Sequence, residues 1–121
     1  MSRRLAAVVA VMALAGAAVL DAHLTVVKSL PARDETVAVS PKRLQVWFSE
    51  TPAAGISQLM LKGASGAIEI GKTAAEKDKS IVADVPKPLA AGDYTIAWRT
   101  AGDDGHPATG EIKFKIAPKE R

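Results

Sequence analysis

The residues of this sequence that could bind a metal ion lie at two places. The segment 103–107 reads Asp-Asp-Gly-His-Pro and contains His106, and the other histidine, His23, follows an apolar amino-terminal stretch. The chain has no cysteine, so thiolate ligands and disulfides are excluded. Imidazole nitrogen and carboxylate oxygen are donors that copper(II) prefers in a tetragonal plane. We therefore predict a copper(II) site if the fold brings the two places together.

Asp104 and His106 are the candidate ligands within the segment. They are two residues apart, so in extended backbone their side chains project to the same side. Gly105 between them lets the loop bend without a Cβ clash. A plainer interpretation is also open, in which Asp103 and Asp104 support a turn and His106 is a polar loop residue.

The first 22 residues have the layout of a signal peptide. Arg3 and Arg4 precede an uncharged run of 16 residues, 5–20, which is rich in Ala, Val and Leu. This run is shorter than the ~20 residues expected of a membrane-spanning helix. We therefore expect a cleaved leader, 1–22, and an exported domain, 23–121, with a retained anchor as the alternative.

The cleavage site decides whether His23 can act as a chelating terminus. Cleavage after Ala22 would make His23 the first residue, and its α-amine and imidazole could then hold one copper(II) ion together. His106 would add a third nitrogen and Asp104 an oxygen. Cleavage after Ala17 fits the small-residue rule better but would leave His23 internal. Cleavage after Leu20 would expose Asp-Ala-His, another terminus that can bind copper(II).

Residues 23–121 contain short runs in which apolar and polar residues alternate, separated by Gly, Pro and Asp, as in an all-β domain. We predict turns at 29–32 and 63–66, a loop at 72–79 that could include a helical turn from Ala74, and a short edge piece at Val37 and Val39. The seven strands predicted are 24–28, 44–49, 56–62, 67–70, 81–85, 94–100 and 111–116. The residues expected to face inward include Leu44, Val46, Phe48, Tyr94, Ile96, Trp98, Ile112, Phe114 and Ile116. This number of strands predicts a seven-stranded Greek-key β-barrel or immunoglobulin-like sandwich.

The charge of the predicted domain is small. Removal of residues 1–22 takes away two Arg and one Asp and lowers the formal charge from +3 to +2. Such a charge does not favour binding to nucleic acid or to an anionic membrane. About 100 residues form one domain with a modest core, and we expect a monomer.

Four features of the sequence resemble the CopC family of periplasmic copper-resistance proteins, over residues 23–116. They are His23 after the leader, Ser-Leu-Pro-Ala at 29–32, Val-Trp-Phe-Ser-Glu at 46–50, and Asp-Gly-His-Pro at 104–107 before the last strand. The resemblance implies an immunoglobulin-like Greek-key β-barrel that binds copper(II) through His23, Asp104 and His106. It also implies association with a CopD-like inner-membrane copper transport protein. Some members place a glutamate near the site, and Glu50 is the matching residue here, although a solvated strand end would also explain it.

One departure from the family concerns methionine. Some members have a second, copper(I) site in a Met-rich segment. Here Met1 and Met12 belong to the leader, which leaves Met60 alone. Since one thioether cannot make a soft copper(I) site, we expect one copper(II) ion only.

Three functions remain open from the sequence. The first is a non-enzymatic protein that sequesters or carries copper for tolerance and homeostasis. The second is an enzyme of the copper-brace monooxygenase type, against which a carboxylate ligand argues because it favours copper(II) and occupies a position that oxygen would need. The third is a metal-free immunoglobulin-like interaction module, which the fold alone would permit.

Overall fold

Alternating apolar residues build two β-sheets across residues 24–119, which are the residues that the computed structural model describes. A short 3₁₀ helix, Ala54–Ile56, is the one helical turn within this range. The proposed leader and His23 lie outside the described residues. The predicted all-β fold is confirmed. The strands are β1 (Val26–Leu30), β2 (Thr36–Val37), β3 (Arg43–Phe48), β4 (Gln58–Gly63), β5 (Gly66–Ile68), β6 (Ala74–Ala75), β7 (Ser80–Asp84), β8 (Gly92–Ala101) and β9 (Pro107–Ile116).

The two sheets share one hydrophobic core. The order of strands is β1-β3-β7-β6 in the four-stranded sheet and β2-β9-β8-β4-β5 in the five-stranded sheet. Neighbouring strands are antiparallel except β2, which runs parallel to β9 with Thr36 opposite Lys115. Buried residues of both sheets form a single cluster. The arrangement is therefore the immunoglobulin-like form of the predicted fold.

Aromatic contacts join the two sheets. Phe48 of β3 meets Trp98 of β8 edge to face, with ring centroids 5.1 Å apart, a favoured geometry for aromatic pairs. Trp98 lies over Gly110 of β9, where a Cβ would stand 2.5 Å from the ring atom Cζ2. The inward faces predicted from alternation are confirmed, since each of these residues is buried: Leu44, Val46, Phe48, Tyr94, Ile96, Trp98, Ile112, Phe114 and Ile116.

Tyr94 makes a contact typical of immunoglobulin-like domains. Its ring stacks on Phe114 with centroids 5.5 Å apart, and its hydroxyl donates a 2.6 Å hydrogen bond to the carbonyl of Ala90, four residues upstream. A tyrosine at the start of the equivalent strand that binds upstream backbone is known as a tyrosine corner. This hydrogen bond anchors the connection between β7 and β8. The connection precedes β8, and residues 102–106 follow β8 at its other end.

The chain turns about two residues later than the predicted turn at 29–32. Ser29 and Leu30 belong to β1 and pair with Val46 and Gln45, and the chain turns after the cis Leu30–Pro31 bond. Ser29 is buried and its hydroxyl donates to the carbonyl of Pro31 at 2.8 Å. A polar residue whose hydroxyl is hydrogen-bonded in this way can lie within a strand while its side chain is buried.

Other boundaries differ because side-chain hydrogen bonds and strand pairing compete with alternation. The predicted strand at 56–62 begins only at Gln58, since the Ser57 hydroxyl donates to the carbonyl of Ala53 and closes the 3₁₀ turn. Ala74 begins the short strand β6, which pairs with β7, and not a helical turn. Val39 lies outside β2 and is exposed.

Within residues 24–119, no helix has the length and apolarity needed to span a membrane.

Candidate metal site

The loop 102–106 connects the two longest strands of the five-stranded sheet. β8 ends at Ala101, which pairs with Pro107 at the start of β9. Within the loop, the amide of Gly105 donates to the carbonyl of Gly102 at 3.0 Å. Gly105 has φ of 78°, in the left-handed region that glycine adopts at low energetic cost. The sequence interpretation of Gly105 as a bending residue agrees with this geometry.

The loop brings the two predicted ligands Asp104 and His106 into contact. Oδ1 of Asp104 accepts the backbone N–H of His106 at 3.0 Å, and Oδ2 lies 3.0 Å from Nδ1 of the imidazole. The carboxylate therefore holds the ring in one orientation, as carboxylates do beside metal-binding histidines. The His106 side chain is 72% exposed and that of Asp104 is 45% exposed. An ion arriving from solvent could reach both.

Glu50 also reaches this loop, from the end of the other sheet. It lies two residues beyond β3, it is half-buried, and its Oε1 accepts the backbone N–H of Asp103 at 3.2 Å. A Cβ on Gly102 would overlap this same oxygen. The structure thus places this fourth candidate, Glu50, beside the loop backbone, and the contact that Glu50 makes there is with an amide group.

The described chain begins next to the same loop. Leu24 is 7% exposed and belongs to the core, and a Cβ on Gly102 would stand 3.6 Å from the Cβ of Leu24. Thr25 is tied to Ser49 twice, because its N–H donates to Oγ of Ser49 at 3.0 Å and its carbonyl accepts the N–H of Ser49 at 2.8 Å. The backbone that follows His23 is therefore anchored at this end of the sandwich, while His23 itself lies outside the described residues.

The outer face of β3 carries a separate polar cluster. Trp47 donates its indole N–H to Oδ2 of Asp78 at 3.0 Å, and Nζ of Lys28 lies 4.5 Å from the centroid of the same ring. The hydroxyl of Ser80 donates to Oδ1 of Asp78 at 2.6 Å. Both hydrogen bonds favour the ionised carboxylate and lower the pKa of Asp78 below its ordinary value, and the bond from Ser80 has the larger effect. The sequence pattern does not indicate this cluster, since Asp78 is 31 residues away from Trp47.

Residues 24–119 do not by themselves contain a group of three or more His, Cys, Asp or Glu side chains arranged to hold a metal ion. Asp104 and His106 are the two proposed ligands within that range. Met60 is 39% exposed and lies on β4, opposite Ala97 of β8. Ala97 is four positions along β8 from Ala101, a spacing of ~13 Å in a strand.

The two sheets around one core define this domain as an immunoglobulin-like β-sandwich. Comparison with known proteins gives its family. A family model described as the CopC domain matches residues 26–117. Because this match spans well over half of the chain, the protein belongs to the CopC domain family.

Relatives and a solved structure agree with this assignment. Copper resistance protein C of Pseudomonas syringae pv. tomato is 30% identical over 107 residues, which cover 82% of this chain and 84% of that protein. Copper transport protein CutJ of Bacillus subtilis (strain 168) is 29% identical over 98 residues, which cover 78% of this chain but only 18% of CutJ. The crystal structure of PcoC from Escherichia coli, described as a methionine-rich copper resistance protein, superposes with a TM-score of 0.71 at 33% identity, covering 78% of this chain and 99% of PcoC. The named relatives are thus copper resistance and copper transport proteins.

Proposed function

We propose that this protein is a periplasmic copper(II)-binding protein that sequesters or carries one copper ion and catalyses no reaction. The ligands are the α-amine and imidazole of His23, the carboxylate of Asp104 and the imidazole of His106. The observation that carries the proposal is the anchoring of Leu24 beside Gly102, at the base of the loop that holds Asp104 and His106.

Covalent geometry extends this observation by one residue. Consecutive Cα atoms are about 3.8 Å apart, and on this ground we propose that the residue bonded to Leu24 lies near the same loop. Leu24 is buried and Thr25 is hydrogen-bonded to Ser49, so both residues are fixed at this end of the domain. Cleavage after Ala22 would therefore bring a new amine and the His23 imidazole close to the loop.

The donor set suits copper(II) and its transfer. Nitrogen and oxygen donors with a five- or six-membered chelate ring favour copper(II) over softer states of the metal. A copper ion bound to Nδ1 of His106 or Oδ2 of Asp104 would replace the hydrogen bond between these two atoms. The exposure of both side chains allows a partner to approach the ion, as a carrier requires.

The names of the relatives support the cargo and its destination. Copper resistance protein C supports a role in copper tolerance. In CutJ the matching region is 18% of a longer protein named for copper transport, which supports delivery from a domain of this kind to a transport partner. We propose a CopD-like inner-membrane transport protein as that partner.

The test is the intact mass of the protein exported to the periplasm, measured with and without one equivalent of copper(II). The expected mass is that of a chain that begins at His23, and it increases by the mass of one copper ion when copper(II) is added. Insertion of one glycine between Ala22 and His23 is the matched control, because it retains every side chain but moves the terminal amine away from the imidazole. We expect an altered copper(II) electron paramagnetic resonance spectrum for that variant, because a backbone amide then lies between the terminal amine and the imidazole. A mature protein that begins at Ala18, or an unchanged spectrum after the insertion, would contradict the terminal chelate.

A further inference from the structure

The end of the sandwich opposite the loop 102–106 consists of three segments of the chain. Residues 38–42 connect β2 to β3, residues 85–91 connect β7 to β8, and residues 117–119 follow β9. They lie at the opposite end because the loop joins the other ends of β8 and β9. All three segments line one groove of about 550 Å³. Four of the seven prolines of the chain are in these segments, and we call this surface the proline-rich end.

The exposed side chains of the proline-rich end are apolar or basic. Val39 is 73% exposed, the largest fraction among the exposed large hydrophobic residues within the range 24–119. The three segments contain no Asp or Glu, and their charged residues are Lys42, Lys87 and Lys119, each exposed and each next to a proline. The other exposed residues of this end are Ala38, Pro86, Pro88, Ala90, Ala91 and Pro118.

The backbone of the proline-rich end forms its hydrogen bonds within the domain. The N–H of Leu89 donates to Oγ of Ser40 at 2.8 Å, and the N–H of Val85 donates to the carbonyl of Lys42 at 2.9 Å. The four prolines have no N–H group that would need a partner. A surface that meets lipid needs such internal bonding, because the bilayer offers no water to replace a lost hydrogen bond.

We propose that the proline-rich end docks on an anionic lipid surface, with Val39 in the apolar boundary and the three lysines at the headgroups. The net charge of the domain is small, but the charges of this end are all positive and therefore attract lipid phosphate. Proline cannot donate a hydrogen bond to an added strand, which argues against a partner that extends a sheet here. The inference rests on the proposed function only for the exported location of the protein.

Docking in this way determines the orientation of the metal loop. β8 has 10 residues between the proline-rich end and the loop 102–106, and a strand of that length spans about 30 Å. The loop would therefore face away from the lipid at roughly this height. It would be open to copper from the periplasm, and a membrane partner would have to receive the ion at the same height.

Flotation with lipid vesicles measures the docking directly. The sample is the metal-free protein purified from the periplasm, and its mass is used to verify that the apolar run 5–20, which would itself bind lipid, is absent. Vesicles of phosphatidylglycerol mixed with phosphatidylcholine are compared with vesicles of phosphatidylcholine alone. We expect binding to the anionic vesicles at about 0.1 M salt and loss of most of it at about 0.5 M, because salt screens the attraction.

A pair of charge variants locates the contact. Lys87→Gln/Lys119→Gln removes two positive charges from the proline-rich end. Lys77→Gln/Lys79→Gln is the matched control, because it removes two exposed lysines from the turn before β7, whose residue 79 is bonded to the end of β3. At roughly fivefold per lysine, the first variant should bind the anionic vesicles about 25-fold more weakly. The control should lose much less, since its lysines are beyond the screening length from the docked surface.

A pair of valine variants tests the apolar contact. Val39→Asp should bind the anionic vesicles roughly tenfold more weakly or worse, because an apolar contact is lost and a like charge is added. Val27→Asp is the matched control, since Val27 is also exposed, at 63%, but belongs to β1. Thermal unfolding verifies that both variants are folded.

A single fluorescent label reports which end meets the lipid. Because the chain has no cysteine, Ala91→Cys and Thr109→Cys each allow an environment-sensitive fluorophore to be attached at one position. Residue 91 belongs to the proline-rich end, and residue 109 is an exposed position of β9 near the metal loop. With anionic vesicles we expect the emission of the label at 91 to shift to shorter wavelength and that of the label at 109 to stay unchanged.

Several outcomes would overturn the proposal. They are equal binding to both kinds of vesicle, equal losses in the test and control variants, and an emission shift at residue 109 without one at 91. Absence of vesicle binding would overturn it as well, and self-association in sedimentation that Val39→Asp removes would then assign this end to a second copy of the chain. All these measurements use metal-free protein, so failure of the proposed copper site would not change them.

Discussion

Gly110 is the position at which a single methyl group should disturb the core most directly. An alanine Cβ there would stand 2.5, 2.7 and 2.8 Å from Cζ2, Cε2 and Nε1 of Trp98, whereas carbon atoms normally pack at about 3.5–4.0 Å. The indole cannot simply withdraw, because Phe48 of the opposite sheet packs against it. Overpacking of this kind costs about 1–3 kcal/mol.

We therefore expect Gly110→Ala to lower the free energy of unfolding by about 2 kcal/mol. For a domain of this size each kcal/mol corresponds to roughly 4–8 °C, so Tm should fall by about 8–16 °C. Thermal unfolding followed by circular dichroism, with near-ultraviolet spectra to report the Trp98 environment, measures both effects.

Gly71→Ala is the matched control for this variant. A Cβ at Gly71 would meet the backbone of Asp84 at 3.5 Å, an ordinary contact, and no positive φ is involved. Its effect should be neutral or slightly stabilising, since alanine reduces the entropy of the unfolded chain. In a Trp98→Phe background the cost of Gly110→Ala should shrink, because the ring atoms that clash are absent. A Gly110→Ala protein as stable as the wild type, or the same cost in both backgrounds, would refute the packing argument.

Three further predictions concern the site, the outer face and the tyrosine corner. Copper(II) at 100 times its Kd should stabilise the folded protein by about 2.7 kcal/mol, and His106→Ala should abolish most of the resulting increase in Tm; an equal increase in the variant would contradict the role of His106. The pKa of Asp78 is lower in the folded protein than in the unfolded one, so its stabilising effect is present above the unfolded pKa and is lost as pH falls through the folded pKa. Thermal unfolding of Asp78→Ala should therefore differ from the wild type at neutral pH and converge with it in acid, and a difference that persists in acid would point to packing alone. Tyr94→Phe removes the hydrogen bond to Ala90 and should lower stability by about 1–2 kcal/mol, as denaturant unfolding would measure; an unchanged midpoint would show that the corner does not contribute.

Local pattern determined much of this protein in advance. The inward faces of β3, β8 and β9 follow from alternation, because side chains of a strand point to opposite sides and only one side can be buried in a core. The proximity of Asp104 and His106 also follows from local sequence, since a single glycine, Gly105, separates them and lets the chain bend there. Both results depend on residues close together in the chain.

Strand order, by contrast, was decided by tertiary packing. The parallel pairing of β2 with β9 and the position of the first turn depend on which strands become neighbours, and alternation is silent on this. The same holds for Glu50, which the sequence offered only as a candidate near the site. Its bond to Asp103 exists because the ends of β3 and β8, from different sheets, meet at one end of the sandwich.

The start of the domain, next to the loop 102–106, shows most clearly what the sequence predicts and what only the tertiary structure decides. The sequence by itself identified His23, Asp104 and His106 as residues with the right donors, because ligand chemistry is a property of residue type. Only the folded structure anchors Leu24 against Gly102. That contact joins positions 78 residues apart, and a contact of such separation forms only when the whole core packs, so no local pattern could have specified it.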